Sequence, residues 1–205
     1  MQHIITVQHT ESVHHTNGMV GSWTDWALTP RGQAQADRIG RKLKEELAGR
    51  HVVLYSSDLK RARMTADAIA GYLGTEPILR RELRERNLGA CCGKSVQWLR
   101  EHMERPEMTI DDRLFSDGES RRDAWNRLRP FYEEVIAGGA RTVILISHGD
   151  LLRIFHTMFL GFPLESLTET AVGYAAGAVS HLTTDDDGTH RAIRLNDLSY
   201  LAEDR

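Results

Sequence analysis

The chain has 205 residues, of which 40% are hydrophobic and 27% charged, a balance typical of a folded globular domain. A formal net charge of −3 provides no overall positive field for nucleic acid. No apolar run approaches the length of a membrane span, and the first residues do not resemble a signal peptide. The only cysteines, Cys91 and Cys92, are adjacent and poorly placed to bond to each other. We therefore expect a cytoplasmic protein with reduced cysteines.

Short apolar runs alternate with helical periodicities along the first 80 residues. Thr29 and Pro30 mark a helix start, because threonine is a good N-cap and proline suits the first helical position. The predicted elements are, in order, a strand at 2–8, a helix from Pro30 to about Leu47, a strand at 52–55, a helix at 59–73 and a strand at 77–79.

The same alternation continues after a less regular stretch. The further predicted elements are a helix near 95–104, a helix from Ser120 to Ile136, a strand at 142–147, a helix from about Leu151 to Leu160, and strands at 177–184 and 190–195. This order predicts an α/β fold, a three-layer αβα sandwich with a mainly parallel central sheet. We expect one domain over residues 1–205, with an excursion at about 90–117 near the pocket.

Two histidines follow two of the predicted buried strands. His9 comes directly after the first strand, and His148 follows the strand at 142–147. Ligands of open α/β sheets bind just past the carboxyl ends of the strands, so we expect the two imidazoles to meet in one pocket. Such a pair suits a nucleophilic imidazole and a partner for an anion.

Two further candidate site residues, both charged, follow the second and third predicted strands. Arg61 falls in the first turn of a predicted helix, where free backbone N–H groups and an arginine together favour an anion. Glu85 adds a carboxylate shortly after the third strand. It lies among several arginines, so a surface ion pair is an alternative interpretation of Glu85, and Glu82 and Glu119 are competing acids.

Taken together and in this order, these segments resemble the histidine phosphatase superfamily, the phosphoglycerate mutase-like proteins. The resemblance covers essentially the whole chain. The matching stretches are the strand ending at His9, Leu28 to Ala34, Ser56 to Ala62, Leu83 to Glu85, Gly118 to Ser120, Ser147 to Gly149, and Asn196-Asp197 with Ser199 to Leu201.

The resemblance implies a phosphoglycerate mutase-like fold and a role for each site residue. In that family the first histidine attacks phosphorus and becomes phosphohistidine, a role that falls on His9. Arg61 and His148 would bind the transferring phosphoryl group. Catalysis of phosphoryl transfer comes mostly from donors of this kind, which stabilise the charge on the equatorial oxygens. Glu85 would protonate the leaving oxygen and then activate water.

One departure from the family concerns the residues around His9. The family motif begins Arg-His-Gly, whereas this chain has Gln8, His9 and Thr10. Gln8 and Gly149 would still belong to the phosphate-binding set, and Thr10 is a candidate pocket residue. Gln8 donates hydrogen bonds but brings no charge, and loss of a charged transition-state donor typically costs about two to three orders of magnitude in rate.

A second departure is His15, which stands where the family tends to have asparagine. His14 and His15 could restore positive charge at acidic pH, so that activity would rise as the pH falls through about 6.5. The alternative is that both are ordinary loop residues. A metal site built from His9, His14 and His15 has no HExxH or CxxC spacing to support it, so we expect no metal.

The sequence therefore predicts a phosphatase that hydrolyses a small phosphomonoester through phosphohistidine, without a metal or organic cofactor. A phosphoglycerate mutase-type phosphotransferase is the first alternative, although the modest length of the segment 90–117 favours an accessible phosphatase pocket. A catalytically weakened module that binds phosphorylated ligands is the second alternative, because Gln8 replaces the arginine. We expect a small phosphorylated substrate and neither nucleic acid nor membrane as partners; monomer and homodimer both remain open.

Overall fold

Six strands form one mixed sheet in the computed structural model, which describes residues 1–169 and 173–202. The strands are β1 (Gln2–Gln8), β2 (Val53–Ser57), β3 (Ile78–Arg80), β4 (Thr142–Ser147), β5 (Val179–Thr184) and β6 (His190–Asp197). Their order in the sheet is β3-β2-β4-β1-β5-β6. β3, β2, β4 and β1 run parallel, and β5 and β6 add an antiparallel hairpin.

Seven α-helices lie in the described part of the chain. They are α1 (His14–Asn17), α2 (Pro30–Glu46), α3 (Lys60–Leu73), α4 (Val96–His102), α5 (Arg121–Ala137), α6 (Gly149–Phe159) and α7 (Ser166–Glu169). None of the described helices is long and apolar enough to cross a membrane.

Alternate side chains of the central strands enter two separate apolar cores, one on each face of the sheet. Ile4 of β1 packs with residues of α5 and α6, whereas its neighbour Ile5 packs with residues of α2 and α3. This alternation follows from the two-residue period of a strand. The predicted three-layer α/β fold with a mainly parallel sheet is confirmed.

The structure differs from the sequence prediction mainly at element boundaries. α6 begins at Gly149 rather than near Leu151, because His148 already serves as its N-cap residue. β5 begins at Val179, two residues after the predicted start. The four-residue helix α1 was expected to be loop, since it is too short to show apolar periodicity.

The strand register places the site residues side by side. Gln8 of β1 pairs with Ser147 of β4, and Ser56 of β2 pairs with Ile146. The residues that follow these strands therefore emerge at one edge of the sheet, the edge where parallel α/β proteins bind ligands.

Candidate active site

A cavity of about 230 Å³ lies at this edge of the sheet, past the carboxyl ends of β1 and β4. It is lined by Gln8, His9, His14, His15, Val20, Gly21, Ser22, Arg61, Glu85, Arg86, Leu88, Gly149 and Asp150. A larger cavity of about 580 Å³ lies at the opposite end of the strands, beside His3 and Thr142. It contains none of the residues that the sequence analysis selected.

His9 is buried directly after β1, with only 3% of its surface exposed. Its Nδ1 lies 2.8 Å from the carbonyl oxygen of Thr10, which can only accept, so Nδ1 carries the proton. Nε2 therefore keeps its lone pair and accepts a 3.1 Å hydrogen bond from Nε of Arg61. Burial, followed by the charge of Arg61, lowers the pKa of His9 well below its ordinary value. The imidazole is thus neutral, with its basic nitrogen at the cavity.

Arg61 lies in the first turn of α3 and is almost completely buried. Its terminal nitrogens donate 2.8 Å bonds to the backbone carbonyls of Thr24 and Ser22. Burial lowers the pKa of Arg61 to about 10, while the nearby carboxyl of Glu85 acts in the opposite direction. The guanidinium stays charged at neutral pH, and two carbonyls fix its position.

His148 follows β4, and its ring centroid lies 5.1 Å from that of His9. The ring is fully buried beside His9 and is not itself among the residues that line the cavity. Its Nε2 is 2.8 Å from the hydroxyl of Ser57, which itself accepts a 3.3 Å bond from the backbone N–H of Leu59. When the hydroxyl proton of Ser57 donates to Nε2, the imidazole proton lies on Nδ1. That Nδ1 is buried without a hydrogen-bond partner among the described residues. A buried donor without a partner is costly, and a bound anion would satisfy it.

Glu85 borders the same cavity, at the N-terminus of α6. Its carboxylate accepts backbone N–H bonds from Arg86 at 2.9 Å, Asp150 at 3.3 Å and Leu151 at 3.1 Å. Burial, followed by the charge of Asp150, raises the pKa of Glu85. The carboxyl therefore keeps a proton to higher pH than an exposed glutamate does.

The competing acid Glu119 is not among the residues that line the cavity. It forms an ion pair with Arg127 at 2.7 Å and accepts a 2.9 Å bond from the backbone N–H of Asn87. Glu82 is also absent from the lining. Of the three acids considered from the sequence, Glu85 is the one that reaches the cavity.

Gln8 and Gly149 line the cavity together with Arg61, whereas Thr10 is not among the lining residues. A Cβ on Gly149 would lie 3.3 Å from Oε1 of Gln8, so the glycine leaves room for this side chain. Oε1 of Gln8 is buried without a hydrogen-bond partner among the described residues. The hydroxyl and N–H of Thr10, a candidate pocket residue, lie within 3.4 Å and 3.2 Å of the Thr65 hydroxyl. Its backbone carbonyl nevertheless orients His9.

His14 and His15 bring two further imidazoles to the cavity, with ring centroids 5.8 Å and 5.4 Å from that of His9. His15 is partly open to solvent, but desolvation of its ring, followed by the charge of Arg61, lowers its pKa; burial together with His15 lowers the pKa of His14 to about 3. These shifts oppose the expected gain of positive charge at about pH 6.5, because protonation of either ring then requires a lower pH.

Two positioning features were not visible in the sequence. The carbonyls of Ser22 and Thr24 hold Arg61, and a backbone acceptor leaves no signature in a residue pattern. Ser57 orients His148 and lies in the stretch Ser56 to Ala62 that carried the resemblance. Its place at the end of β2, beside the end of β4, was the signal that could have identified it.

Comparisons with known proteins identify the family of this chain. The family model described as histidine phosphatase superfamily (branch 1) matches residues 4–197. A putative phosphoserine phosphatase 2 of Hydrogenobacter thermophilus is 28% identical over 179 residues, which cover 82% of this chain and 83% of that protein. A 2,3-bisphosphoglycerate-dependent phosphoglycerate mutase of Bartonella tribocorum is 30% identical over 160 residues, 73% of this chain and 77% of that protein. The solved structure of Bacillus stearothermophilus YhfR has a TM-score of 0.84 at 24% identity, covers 98% of this chain and 100% of its own, and shows a shared fold.

Proposed function

This chain belongs to the histidine phosphatase superfamily, branch 1, and from that premise we propose that it hydrolyses a small phosphomonoester through a phosphohistidine at His9. The observation that carries the proposal is the state of the His9 ring. The carbonyl of Thr10 holds the Nδ1 proton, so the lone pair of Nε2 lies at the cavity beside Arg61 and His148. A cavity of about 230 Å³ is below the range of about 300–1,000 Å³ typical of pockets for drug-sized ligands, which favours a small substrate.

In the first step, Nε2 of His9 attacks phosphorus in line with the bond to the leaving oxygen. As the N–P bond forms and the P–O bond breaks, Nε–H of Arg61 turns from Nε2 to a phosphoryl oxygen. Nδ1–H of His148 donates to another oxygen from the opposite side. These two donors stabilise the charge on the equatorial oxygens in the transition state.

Glu85 supplies the proton that the leaving oxygen needs and then takes one from water. Its raised pKa keeps the carboxyl protonated to higher pH, which suits a general acid. After the alcohol departs, the carboxylate accepts a proton from the attacking water. The N–P bond then breaks, its electron pair returns to Nε2 of His9, and inorganic phosphate leaves.

A phosphoglycerate mutase-type transfer uses the same nucleophile, and a relative 30% identical bears that name. In that reaction a substrate hydroxyl replaces water and the substrate carries a second anionic group. The other arginine at the cavity, Arg86, is already bound by the carboxylates of Glu107 and Asp150, the latter at 2.9 Å. Because its charge is already neutralised, Arg86 would bind the second anionic group of a mutase substrate only weakly. This favours hydrolysis of simple monoesters over transfer.

A weakened phospho-ligand binding module is the alternative of a different class. It would keep the anion contacts of Arg61 and His148 but have little turnover, because Gln8 brings no charge. Equilibrium binding of phosphate without release of product from any ester would favour this alternative.

A panel of phosphate esters tests the proposal directly. Inorganic phosphate released from p-nitrophenyl phosphate, phosphoserine, glycerol phosphates and 3-phosphoglycerate is measured for the wild type and for His9→Ala. The wild type is expected to hydrolyse at least one monoester, and His9→Ala to lose at least about three orders of magnitude in rate. His102→Ala, which changes a histidine of α4 outside the cavity lining, serves as the control. Equal activity of His9→Ala and wild type would contradict the assignment of the nucleophile.

A further inference from the structure

Three imidazoles meet at the mouth of the cavity, on the loop that follows β1. One potential ligand nitrogen from each of His9, His14 and His15 lies within 4.8 Å of the others. His9 is buried, His14 half-buried and His15 exposed, so the cluster extends from the cavity floor to solvent. We propose that these three histidines bind one divalent transition-metal ion of the Zn²⁺ type, and that the ion and a phosphoryl group exclude each other.

The chemistry of the cluster matches this class of ion. Neutral imidazole nitrogens are preferred ligands of Zn²⁺, Cu²⁺ and Ni²⁺, whereas Mg²⁺ and Ca²⁺ prefer oxygen. Three protein nitrogens with a fourth position open to water is a frequent arrangement around protein-bound zinc. The exposed side of His15 provides the route by which a hydrated ion enters.

Two of the rings are already oriented by partners on their other nitrogen. Nδ1 of His9 bonds to the carbonyl of Thr10 at 2.8 Å, and Nδ1 of His14 lies 2.7 Å from the hydroxyl of Ser12. Each contact leaves Nε2 for a metal, which is how metal-bound histidines are normally held. Nδ1 of His15 accepts a 3.3 Å bond from the N–H of Ser12, so ligation through Nδ1 displaces this long bond and ligation through Nε2 keeps it.

The nitrogens must move closer together to bind an ion. Zn–N bonds of about 2.0–2.1 Å in a tetrahedral site place ligand nitrogens about 3.4 Å apart, which is about 1.4 Å less than the observed upper separation. His14 and His15 lie on the four-residue helix α1, which ends at Gly18 in the left-handed conformation (φ 69°). Metal binding therefore requires rotation of the His15 side chain, the exposed member of the cluster, towards the other two rings.

Arg61 opposes the metal and thereby provides a test of the site. Its Nε–H occupies the lone pair of His9 Nε2 at 3.1 Å, and the carbonyls of Ser22 and Thr24 keep its charge in place. A cation and Arg61 must compete for the same nitrogen, whereas an anion is attracted by Arg61. Loss of the guanidinium should therefore change metal and anion affinity in opposite directions.

Isothermal titration calorimetry with ZnCl₂ on the chelator-stripped full chain measures the site without any need for turnover. The wild type is expected to bind one ion in the cluster. His14→Asn and His15→Asn should weaken that binding at least 10-fold, and Arg61→Ala should tighten it. His102→Asn should bind as the wild type does, because His102 stacks on Trp98 away from the cluster. Thermal melts of each variant verify that it is folded.

Two results would overturn the site: no zinc binding by the folded wild type, or wild-type affinity in both His14→Asn and His15→Asn. Because His15 is exposed, His15→Asn should fold as the wild type does. Its zinc affinity therefore tests the site even if Arg61→Ala does not fold. The exclusion of phosphoryl groups rests on the proposed function and is measured separately, with sulfate as a soluble phosphate mimic. Sulfate should weaken zinc binding at least threefold in the wild type; unchanged or tighter binding would contradict mutual exclusion while leaving the zinc site itself intact.

Discussion

Individual nitrogen atoms determine the chemistry of this site. The carbonyl of Thr10 sets the tautomer of His9, and the hydroxyl of Ser57 contacts Nε2 of His148. The proposed mechanism gives the two imidazoles opposite roles: the lone pair of His9 Nε2 attacks phosphorus, and the unpartnered Nδ1 of His148 donates to a phosphoryl oxygen. Residue identity alone predicts neither role, because each depends on the hydrogen-bond partner of the ring nitrogen that faces away from the phosphoryl group.

Replacement of Ser57 by alanine tests the control of the His148 tautomer. Without the hydroxyl, Nε2 of His148 competes for the proton, so the N–H that faces the phosphoryl group is partly lost. Steady-state kinetics should show kcat about 10- to 100-fold lower with a smaller change in KM, since the donor acts mainly in the transition state. Ser57→Thr keeps a hydroxyl and should retain most activity. Equal kinetics for Ser57→Ala and Ser57→Thr would show that the hydroxyl does not matter.

Replacement of Gln8 by arginine tests whether the missing charge limits the site. A charge-assisted hydrogen bond is about twice as strong as a neutral one, and arginine carries no equivalent of the unpartnered Oε1 of Gln8. Gln8→Arg should therefore raise kcat/KM or tighten inhibition by inorganic phosphate. Gln8→Met, which has similar length and no charge, is the matched control and should do neither. A folded Gln8→Arg variant with no gain would mean that another group already compensates.

The helices that support the site begin at residues whose side chains cap them, and α5 is the clearest example. α5 begins with a capping box, in which the hydroxyl of Ser120 accepts from the backbone N–H of Asp123 while the Asp123 carboxylate accepts from that of Ser120. The helix buries Leu128 and Phe131 against the sheet face that also carries α6. The cap thus supports the helix that packs directly against α6, whose N-terminus adjoins the cavity.

Loss of this cap should destabilise the protein without affecting the site. Ser120→Ala is expected to reduce the free energy of unfolding by about 0.5–2 kcal/mol, as N-cap replacements do. Urea denaturation measures the change, and the rate of ester hydrolysis should stay within about twofold of the wild type. Asn126→Ala changes an exposed residue of the same helix and should shift stability by no more than about 0.5 kcal/mol. Equal shifts for the two variants would contradict the role of the cap.

The sequence predicted the elements well and the fine geometry of the site only in part. The apolar runs before His9 and His148 identified β1 and β4, because parallel strands that are buried on both faces have nearly continuous apolar sequences. Arg61 and Glu85 followed from resemblance and lie at the cavity. The short helix α1 was missed because four polar residues have no periodicity, and the contact between the Thr10 and Thr65 hydroxyls was not predicted. Long-range contacts of that kind leave no local signal.

The molecule as a whole keeps several histidines neutral in its interior. His156 is 2% exposed, with Thr6 and Tyr174 as hydrogen-bond partners, and burial lowers its pKa to about 3. His9 and His148 are shifted in the same direction by burial. Each such group binds a proton in the unfolded chain before it does so in the folded protein, so the folded state loses stability as the pH falls below about 6.5.

Unfolding experiments at two pH values test this linkage. For His156 the loss begins near pH 6.5 and continues towards its folded pKa of about 3, so a fall to pH 5 costs about 2 kcal/mol. Urea midpoints at pH 7.5 and pH 5.0 should therefore differ more for the wild type than for His156→Gln, which cannot be protonated. Comparison within each variant cancels the contribution of the carboxyl groups. The same difference for both proteins would exclude His156 as a source of acid sensitivity.

Detection of the phosphorylated nitrogen tests the central claim most directly. The protein is mixed with a hydrolysed ester, quenched in alkali within the first turnovers, where phosphohistidine is stable and phosphoserine is not, and digested for mass spectrometry. We predict one phosphoryl group, localised to His9 by fragmentation of the peptide and absent from His9→Ala. With p-nitrophenyl phosphate, whose leaving oxygen needs little help from an acid, it should also accumulate in Glu85→Gln, which cannot activate water. Turnover of the ester without any phosphorylated His9 peptide, or with the label on His14, His15 or His148, would contradict this account.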